Sequence, residues 1–221
     1  MKQIIRVLKS SVGKKYLMAV TGLALCGFLV AHLIGNLFLY KGPGGDAYNA
    51  YGHKLESLGP LLKLAELGLL ALFLVHIVLA IVVSIENKRA RGAGYASYKG
   101  KGGSTLASRV MAYTGGLVGV FVVLHLLHFK FAEHLYDAKG YVDWYTMVLQ
   151  LFQKPVFFAF YVASVLILGF HLYHAVQSCM RSLGLDNDNY DPLVQWVSRI
   201  FSGLMVIGFS SIPIWAFFLK G

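Results

Sequence analysis

The chain has 221 residues, of which 57% are hydrophobic and 14% are charged, and its formal net charge is +10. This composition is too apolar for an ordinary soluble domain of this length. The basic residues flank apolar segments and do not form a patch on a soluble fold. The charge therefore indicates membrane topology and attraction to anionic lipid, and a nucleic-acid partner is not expected.

Five apolar segments are each long enough to cross a bilayer, which takes about 20 apolar residues. They occupy about residues 16–40, 61–85, 109–131, 155–180 and 193–219. The connections leave little room for a soluble domain, so we predict an all-α membrane protein with a single transmembrane domain over residues 1–221. The first segment is longer than a signal-peptide core of about 7–15 residues, and we expect it to be retained.

The two cysteines do not indicate a disulfide framework or a metal site. Cys26 lies in the first span and Cys179 lies near the end of the fourth. The sequence has no Cys-x-x-Cys motif, which excludes the usual iron–sulfur, zinc and c-type haem attachment motifs. We expect two free thiols within helices.

Basic residues predict the orientation in the membrane. The N-terminal arm, residues 1–15, has five Lys or Arg and no acidic residue, and the 86–109 connection has six basic residues and one acid. By the positive-inside rule, these two segments and the 181–192 loop face the cytoplasm. The 41–60 and 132–154 loops and the C-terminus then face outside.

Histidines recur at similar depths in the first four spans. His32, His76, His125 and His171 each lie 15 or 16 residues into their span. Polar groups inside a bilayer are expensive and tend to mark function. Since the spans alternate in direction, we expect His32 and His125 to share a level in the outer half, and His76 and His171 a level in the inner half. Each level lies about 5–6 Å from the midplane.

Two stacked pairs of imidazoles fit two b-type haems. Haem iron accepts His at both axial positions, which leaves no open site for a substrate and suits electron transfer. Zinc would need four ligands at one point. A proton relay usually includes carboxylates near the histidines, and Glu66 is the one acidic residue inside the predicted first four spans. A transporter that uses its histidines for ions or protons remains an alternative.

A short repeat accompanies two of the histidines. A Thr-Gly dipeptide begins 11 residues before His32, at Thr21, and 11 residues before His125, at Thr114. Eleven residues is close to three helical turns, so each Thr lies on the stripe of its histidine, about 16 Å deeper and near the inner level. Either these small residues leave room beside the inner haem, or they allow close helix packing in lipid.

The ordered set of motifs resembles a known family. The set comprises Thr-Gly-x9-His in the first and third spans, GGDAYNAYGHKLESLG at residues 44–59 and GFHLYHAVQS at residues 169–178. It is similar to the dihaem cytochrome b558 membrane anchor of succinate dehydrogenases and fumarate reductases, over nearly all of the chain. The resemblance implies a five-helix anchor in which the first four spans form the haem-binding bundle.

The resemblance also implies ligands, partners and a location. His32 and His125 would bind the outer haem, and His76 and His171 the inner haem. An FAD-containing dicarboxylate subunit and an iron–sulfur subunit would dock on the cytoplasmic side of a bacterial inner membrane. The chain would pass electrons between a quinone, expected to be menaquinone, and the iron–sulfur subunit. The alternative is a dihaem anchor of another membrane oxidoreductase, such as a hydrogenase or formate dehydrogenase.

The haem surroundings contain further candidates. His174 follows His171 by three residues, and matching depth with His76 favours His171 as the ligand. His174 then lies one turn nearer the inner surface, within reach of a haem propionate or the iron–sulfur partner. Other propionate candidates lie near the cytoplasmic boundary, with snorkelling to headgroups as the alternative. They are Arg181, Arg109, Ser108 and Lys88.

A quinone site needs an apolar slot near a haem, a hydrogen-bond donor and a group that exchanges protons. His53 and Glu56 lie in the outer loop, and the resembled family has an acidic residue at the position of Glu56. Glu66 lies 10 residues before His76, about 15 Å outward and near the outer haem's level. The alternative for Glu66 is an interfacial carboxylate paired with a lysine such as Lys63.

Overall fold

The computed structural model describes residues 10–90, 106–184 and 190–220. Within these residues the chain forms seven α-helices, joined in part by 3₁₀ turns at Leu37–Tyr40 and Pro43–Gly45. The helices are α1 (Ser11–Asn36), α2 (Asp46–Glu56), α3 (Pro60–Ala90), α4 (Leu106–His128), α5 (Trp144–Phe152), α6 (Pro155–Ser182) and α7 (Asp191–Phe218).

The five expected spans are confirmed as α1, α3, α4, α6 and α7, each long and apolar enough to cross a membrane. These helices are compatible with a multi-pass membrane protein. The first helix begins at Ser11, five residues before the predicted start at residue 16. The reason is a side-chain cap: the Ser10 hydroxyl accepts a hydrogen bond of 3.0 Å from the Gly13 N–H, which satisfies a donor of the first turn.

The two connections expected to be loops contain the short helices α2 and α5. Asp143 caps α5, because its Oδ1 accepts a hydrogen bond of 3.1 Å from the Thr146 N–H. Gly45 precedes α2 with φ +80° and lies directly beneath Tyr145. A Cβ at Gly45 would lie 2.1 Å from Cγ of that ring, so only glycine permits the approach. The two short helices therefore pack against each other.

The bundle has two distinct ends. At the basic end, where α1 begins and α6 ends, Lys14 pairs with Glu86 and Arg181 contacts Asp191 at 3.2 Å. At the capped end, which carries α2 and α5, the Tyr40 hydroxyl lies 2.7 Å from the Ser211 hydroxyl. These contacts match the expected alternation of span directions. Which end faces the cytoplasm stays a prediction.

Helix α6 lies at the centre of the packing and contacts α1, α4 and α7, while α3 packs on α1. Leu33 of α1, Leu168 and Leu172 of α6 and Met205 of α7 form a buried cluster. In contrast, α3 and α4 touch each other little. The four helices α1, α3, α4 and α6 therefore surround an internal space that side chains do not fill.

Candidate functional site

A large cavity of about 2780 Å³ runs along the inside of the four-helix bundle. Lys15 and Arg181 line it at the basic end, and Glu56 and Lys130 line it at the capped end. Ligand pockets usually measure about 300–1000 Å³, so this space can hold more than one large ligand. Its polar lining includes the four histidines expected from the sequence: His32, His76, His125 and His171.

The capped-end pair consists of His32 from α1 and His125 from α4. Their ring centroids lie 5.9 Å apart and the ring planes are nearly perpendicular, at 88°. Aromatic rings surround the pair at centroid distances of 6.0 Å or less. They are Phe28 and Phe209 at His32, and Phe121, Phe129 and Tyr161 at His125.

The geometry of the capped-end pair fits a metal held between two imidazoles. Each metal–nitrogen bond measures about 2 Å, and the radius of each ring adds to it. Two imidazoles on opposite sides of one metal therefore have centroids about 6 Å apart. In the described part of the chain, Nδ1 of His125 is buried and has no hydrogen-bond partner. A buried polar atom of this kind calls for a ligand or another explanation.

The basic-end pair consists of His76 from α3 and His171 from α6, which both line the cavity. A threonine hydroxyl lies beside each ring. Thr21 Oγ1 is 3.1 Å from Nδ1 of His76, and Thr114 Oγ1 is 3.4 Å from Nδ1 of His171. The structure therefore places both threonines at the level of the basic-end histidines His76 and His171, as their spacing predicts.

The glycine of each Thr-Gly dipeptide lies against the same imidazole. A Cβ at Gly22 would lie 3.2 Å from Cε1 of His76, and a Cβ at Gly115 would lie 3.2 Å from Cε1 of His171. The small residues thus admit a histidine of the next span to the helix surface. Each Thr-Gly serves the histidine of the neighbouring helix, and not the histidine that follows it in its own helix.

The repeat is longer than the Thr-Gly dipeptide. Residues 18–22 read MAVTG and residues 111–115 read MAYTG, each with a histidine 14 residues after the methionine. The backbone carbonyl of Met18 lies beside the His76 ring, and that of Met111 lies beside the His171 ring. The longer repeat is the sequence signal that could have identified this contact.

Several candidates lie where the cavity reaches the basic end. His174 is buried, lines the cavity one turn beyond His171 and lies near the positive charge of Arg181. Arg181 also lines the cavity and pairs with Asp191. The side chains of Lys88, Ser108 and Arg109 lie outside the described part of the structure. Gln177 was not expected: it is buried, lines the cavity, and its Nε2 has no hydrogen-bond partner among the described residues.

The acidic candidates lie at the capped end. Glu56 and Glu66 both line the cavity. Glu66 pairs with Lys130, which follows α4. This agrees with the alternative of a carboxylate paired with a lysine, but the partner is Lys130 and not Lys63. Spacing within one helix could not reveal a partner from another part of the chain. His53 is exposed and stacks on Tyr141 with ring centroids 3.8 Å apart.

A hydrogen-bond network fixes the two short helices over the capped end. The Asn49 amide donates to Asp143 Oδ1 at 2.8 Å, and its oxygen accepts from the Tyr145 N–H at 3.0 Å. The Tyr48 hydroxyl donates to Asn36 Oδ1 at 3.1 Å, and burial raises the pKa of Tyr48 to about 12. This phenol stays protonated and keeps α2 attached to α1.

Within the described residues, no group of three or more His, Cys, Asp or Glu could hold a bare metal ion. The histidines are arranged as pairs, and a pair suits a metal whose remaining positions are filled by its own macrocycle. Comparison with protein-family models, curated proteins and solved structures found no match for this chain. Any proposal about function therefore rests on the site and on the sequence motifs.

Proposed function

We propose that this chain is the dihaem cytochrome b membrane anchor of a succinate:quinone oxidoreductase, either a succinate dehydrogenase or a quinol:fumarate reductase. The observation that supports this most is the arrangement of two histidine pairs along one internal cavity. The two members of each pair come from different helices, and all four histidines line the same cavity. One pair lies beside Phe28 and Phe121, and the other lies beside Thr21 and Thr114. The resemblance of the sequence motifs to this family adds the identity of the complex.

The four paired histidines would hold two haems. His32 and His125 would hold a haem b at the capped end, and His76 and His171 would hold a second at the basic end. When bound, the two haems would supply one-electron transfer between the two sides of the membrane. The protein's own part is to fix the four imidazoles, to exclude water with an apolar lining and to pair the charged groups of the cofactor.

The basic end supplies groups for those charges. Arg181 and His174 line the cavity there, and a carboxylate beside a guanidinium forms strong, charge-assisted hydrogen bonds. We expect the iron–sulfur subunit, and with it the FAD-containing dicarboxylate subunit, to bind at this end. By the distribution of basic residues this is the cytoplasmic side of a bacterial inner membrane.

The capped end supplies groups for a quinone, expected to be menaquinone. Glu56 and Glu66 line the mouth of the cavity there, and an accessible carboxylate can exchange protons with the solution. Glu56 is the first candidate and Glu66, which is paired with Lys130, is the second. His53 is a weaker candidate because it is exposed and stacks on Tyr141.

Haem content and reduced-minus-oxidised spectra of the purified protein test the proposal. We expect two b-type haems per chain. His76→Ala or His171→Ala should remove the basic-end haem, and His32→Ala or His125→Ala the capped-end haem. His128→Ala is the matched control and should keep both, because Nδ1 of His128 bonds the Tyr161 hydroxyl at 3.0 Å. A colourless protein would contradict the proposal and favour a transporter.

The identity of the complex needs a separate measurement. We expect a flavoprotein and an iron–sulfur protein to copurify with the chain, and succinate or fumarate to change the redox state of its haems. Copurification with a hydrogenase or formate dehydrogenase, without a response to either dicarboxylate, would leave the haem assignment intact. It would refute the dicarboxylate link.

A further inference from the structure

A threonine hydroxyl lies beside each imidazole of the basic-end pair. We propose that Thr21 and Thr114 are positioning residues that hold the His76 and His171 imidazoles with the proton on Nδ1, so that Nε2 is free to bind iron. This rests on the proposed function, since it concerns ligands of a haem.

The direction of the hydrogen bonds supports this assignment. Thr21 Oγ1 donates its one proton to a carbonyl of its own helix, Leu17 at 2.9 Å or Met18 at 3.1 Å. Thr114 Oγ1 likewise donates to the Met111 carbonyl at 3.0 Å. When that proton goes to the carbonyl, each hydroxyl accepts from the imidazole nitrogen beside it.

In each case the ring nitrogen beside the threonine hydroxyl is Nδ1. When Nδ1 carries the proton that the hydroxyl accepts, the nitrogen that remains unprotonated is Nε2, and an unprotonated nitrogen is what a metal needs.

This hydrogen bond should tune the bound iron. An imidazole whose Nδ1–H is bonded to an acceptor is a stronger electron donor through its other nitrogen. Stronger electron donation favours oxidised iron and lowers the reduction potential. Hydrogen bonds around the ligands are one of the ways in which a protein sets that potential. The capped-end pair differs, since Nδ1 of His125 is buried without a partner among the described residues. The effect of the threonines should be confined to the basic-end haem.

Redox titration of the purified complex, followed by absorbance, tests this. Thr21→Val and Thr114→Val keep the side-chain shape and remove the acceptor. Each should favour reduced iron about tenfold, which is an upward shift of about 59 mV for a one-electron couple. The shift should occur only in the haem that His171→Ala removes. Thr→Ser at either position should restore the wild-type potential.

Ser198→Ala provides the matched control. The Ser198 hydroxyl is buried and donates to the Val194 carbonyl at 2.6 Å, and α7 carries none of the four paired histidines. This variant should leave both potentials unchanged.

The outcomes separate the inference from the proposed function. Two haems whose potentials do not move in either valine variant would overturn the inference and leave the proposed function intact. Loss of the basic-end haem in the valine variants supports the inference if serine restores it, and overturns it if serine does not. A wild-type protein without b-type haem would overturn the proposed function, and the inference with it.

Discussion

Gly22 offers a direct test of how closely the histidines are positioned. The backbone of α1 approaches the His76 ring so closely that a Cβ at Gly22 would lie 3.2 Å from Cε1 and 3.5 Å from the Cys179 sulfur. We predict that Gly22→Val displaces the imidazole and abolishes binding of the haem proposed at the basic end, while the haem proposed at the capped end stays bound.

The size of the displacement follows from these distances. The γ-methyls of valine extend about 1.5 Å beyond Cβ, and non-bonded carbon atoms need about 3.5–4.0 Å. The His76 ring would have to retreat by roughly 1 Å to accommodate a methyl group, at a cost of about 1–3 kcal/mol for overpacking. Metal–ligand distances tolerate only about 0.2 Å, so ligation through His76 should fail. His32 lies about 15 Å along the same helix and should be unaffected.

Haem stoichiometry and absorption spectra provide the assay. Wild type should bind two haems and Gly22→Val one. Gly27→Val is the matched control: it is on the same helix, its Cβ would meet no atom within 4 Å, and it should bind two. If Gly22→Val binds two haems with wild-type spectra, the close approach of Gly22 to His76 does not position a ligand and the reasoning is refuted.

Two further predictions concern the capped end. Asn49→Ala removes hydrogen bonds to the Asp143 carboxylate and the Tyr145 N–H. This should destabilise the contact between α2 and α5 by about 2 kcal/mol or more. Faster amide exchange in α2 and α5 would show the effect, and unchanged exchange would contradict it. Burial raises the pKa of Asp143, but hydrogen bonds from Thr146 and Asn49 bring it below its usual 3.8. A lowered folded-state pKa gives stabilisation that is complete above the unfolded-state value and is lost as the pH falls through the folded-state value. In wild type, the melting temperature should therefore decrease as the pH is lowered below 3.8. The decrease in melting temperature should be smaller in Asp143→Asn.

The number and depth of the spans were predictable because both follow from one-dimensional quantities. A bilayer requires a minimum apolar length, and a constant rise per residue converts sequence position into depth. The pairing of His32 with His125 needed only the alternation of span directions, and their centroids lie 5.9 Å apart. The depth of Thr21 followed by the same arithmetic.

The remaining contacts depend on the rotation of each helix about its axis and on which helices are neighbours. The spacing of residues within one helix gives no information about either. Glu66 bonds Lys130, which follows α4, although Lys63 lies one turn away. The short helices were missed because α2 and α5 are brief and bounded by polar turns. Their contact depends on Gly45 and Asn49, whose partners lie about 95–100 residues further along the chain.

The repeat explains why the bundle is built from two similar halves. Helices α1 and α3 form one half and α4 and α6 the other, and each half contributes one histidine to each level. Within a half, the first helix supplies the Met-Ala-x-Thr-Gly segment that holds the histidine of the second. Neither half can complete a pair alone, so every pair joins the two halves. The halves touch through α1 and α6, whereas α3 and α4 touch little. Ligands held by both pairs would therefore connect the halves where protein contacts are fewest, and the α3–α4 side of the bundle should depend most on them for its stability.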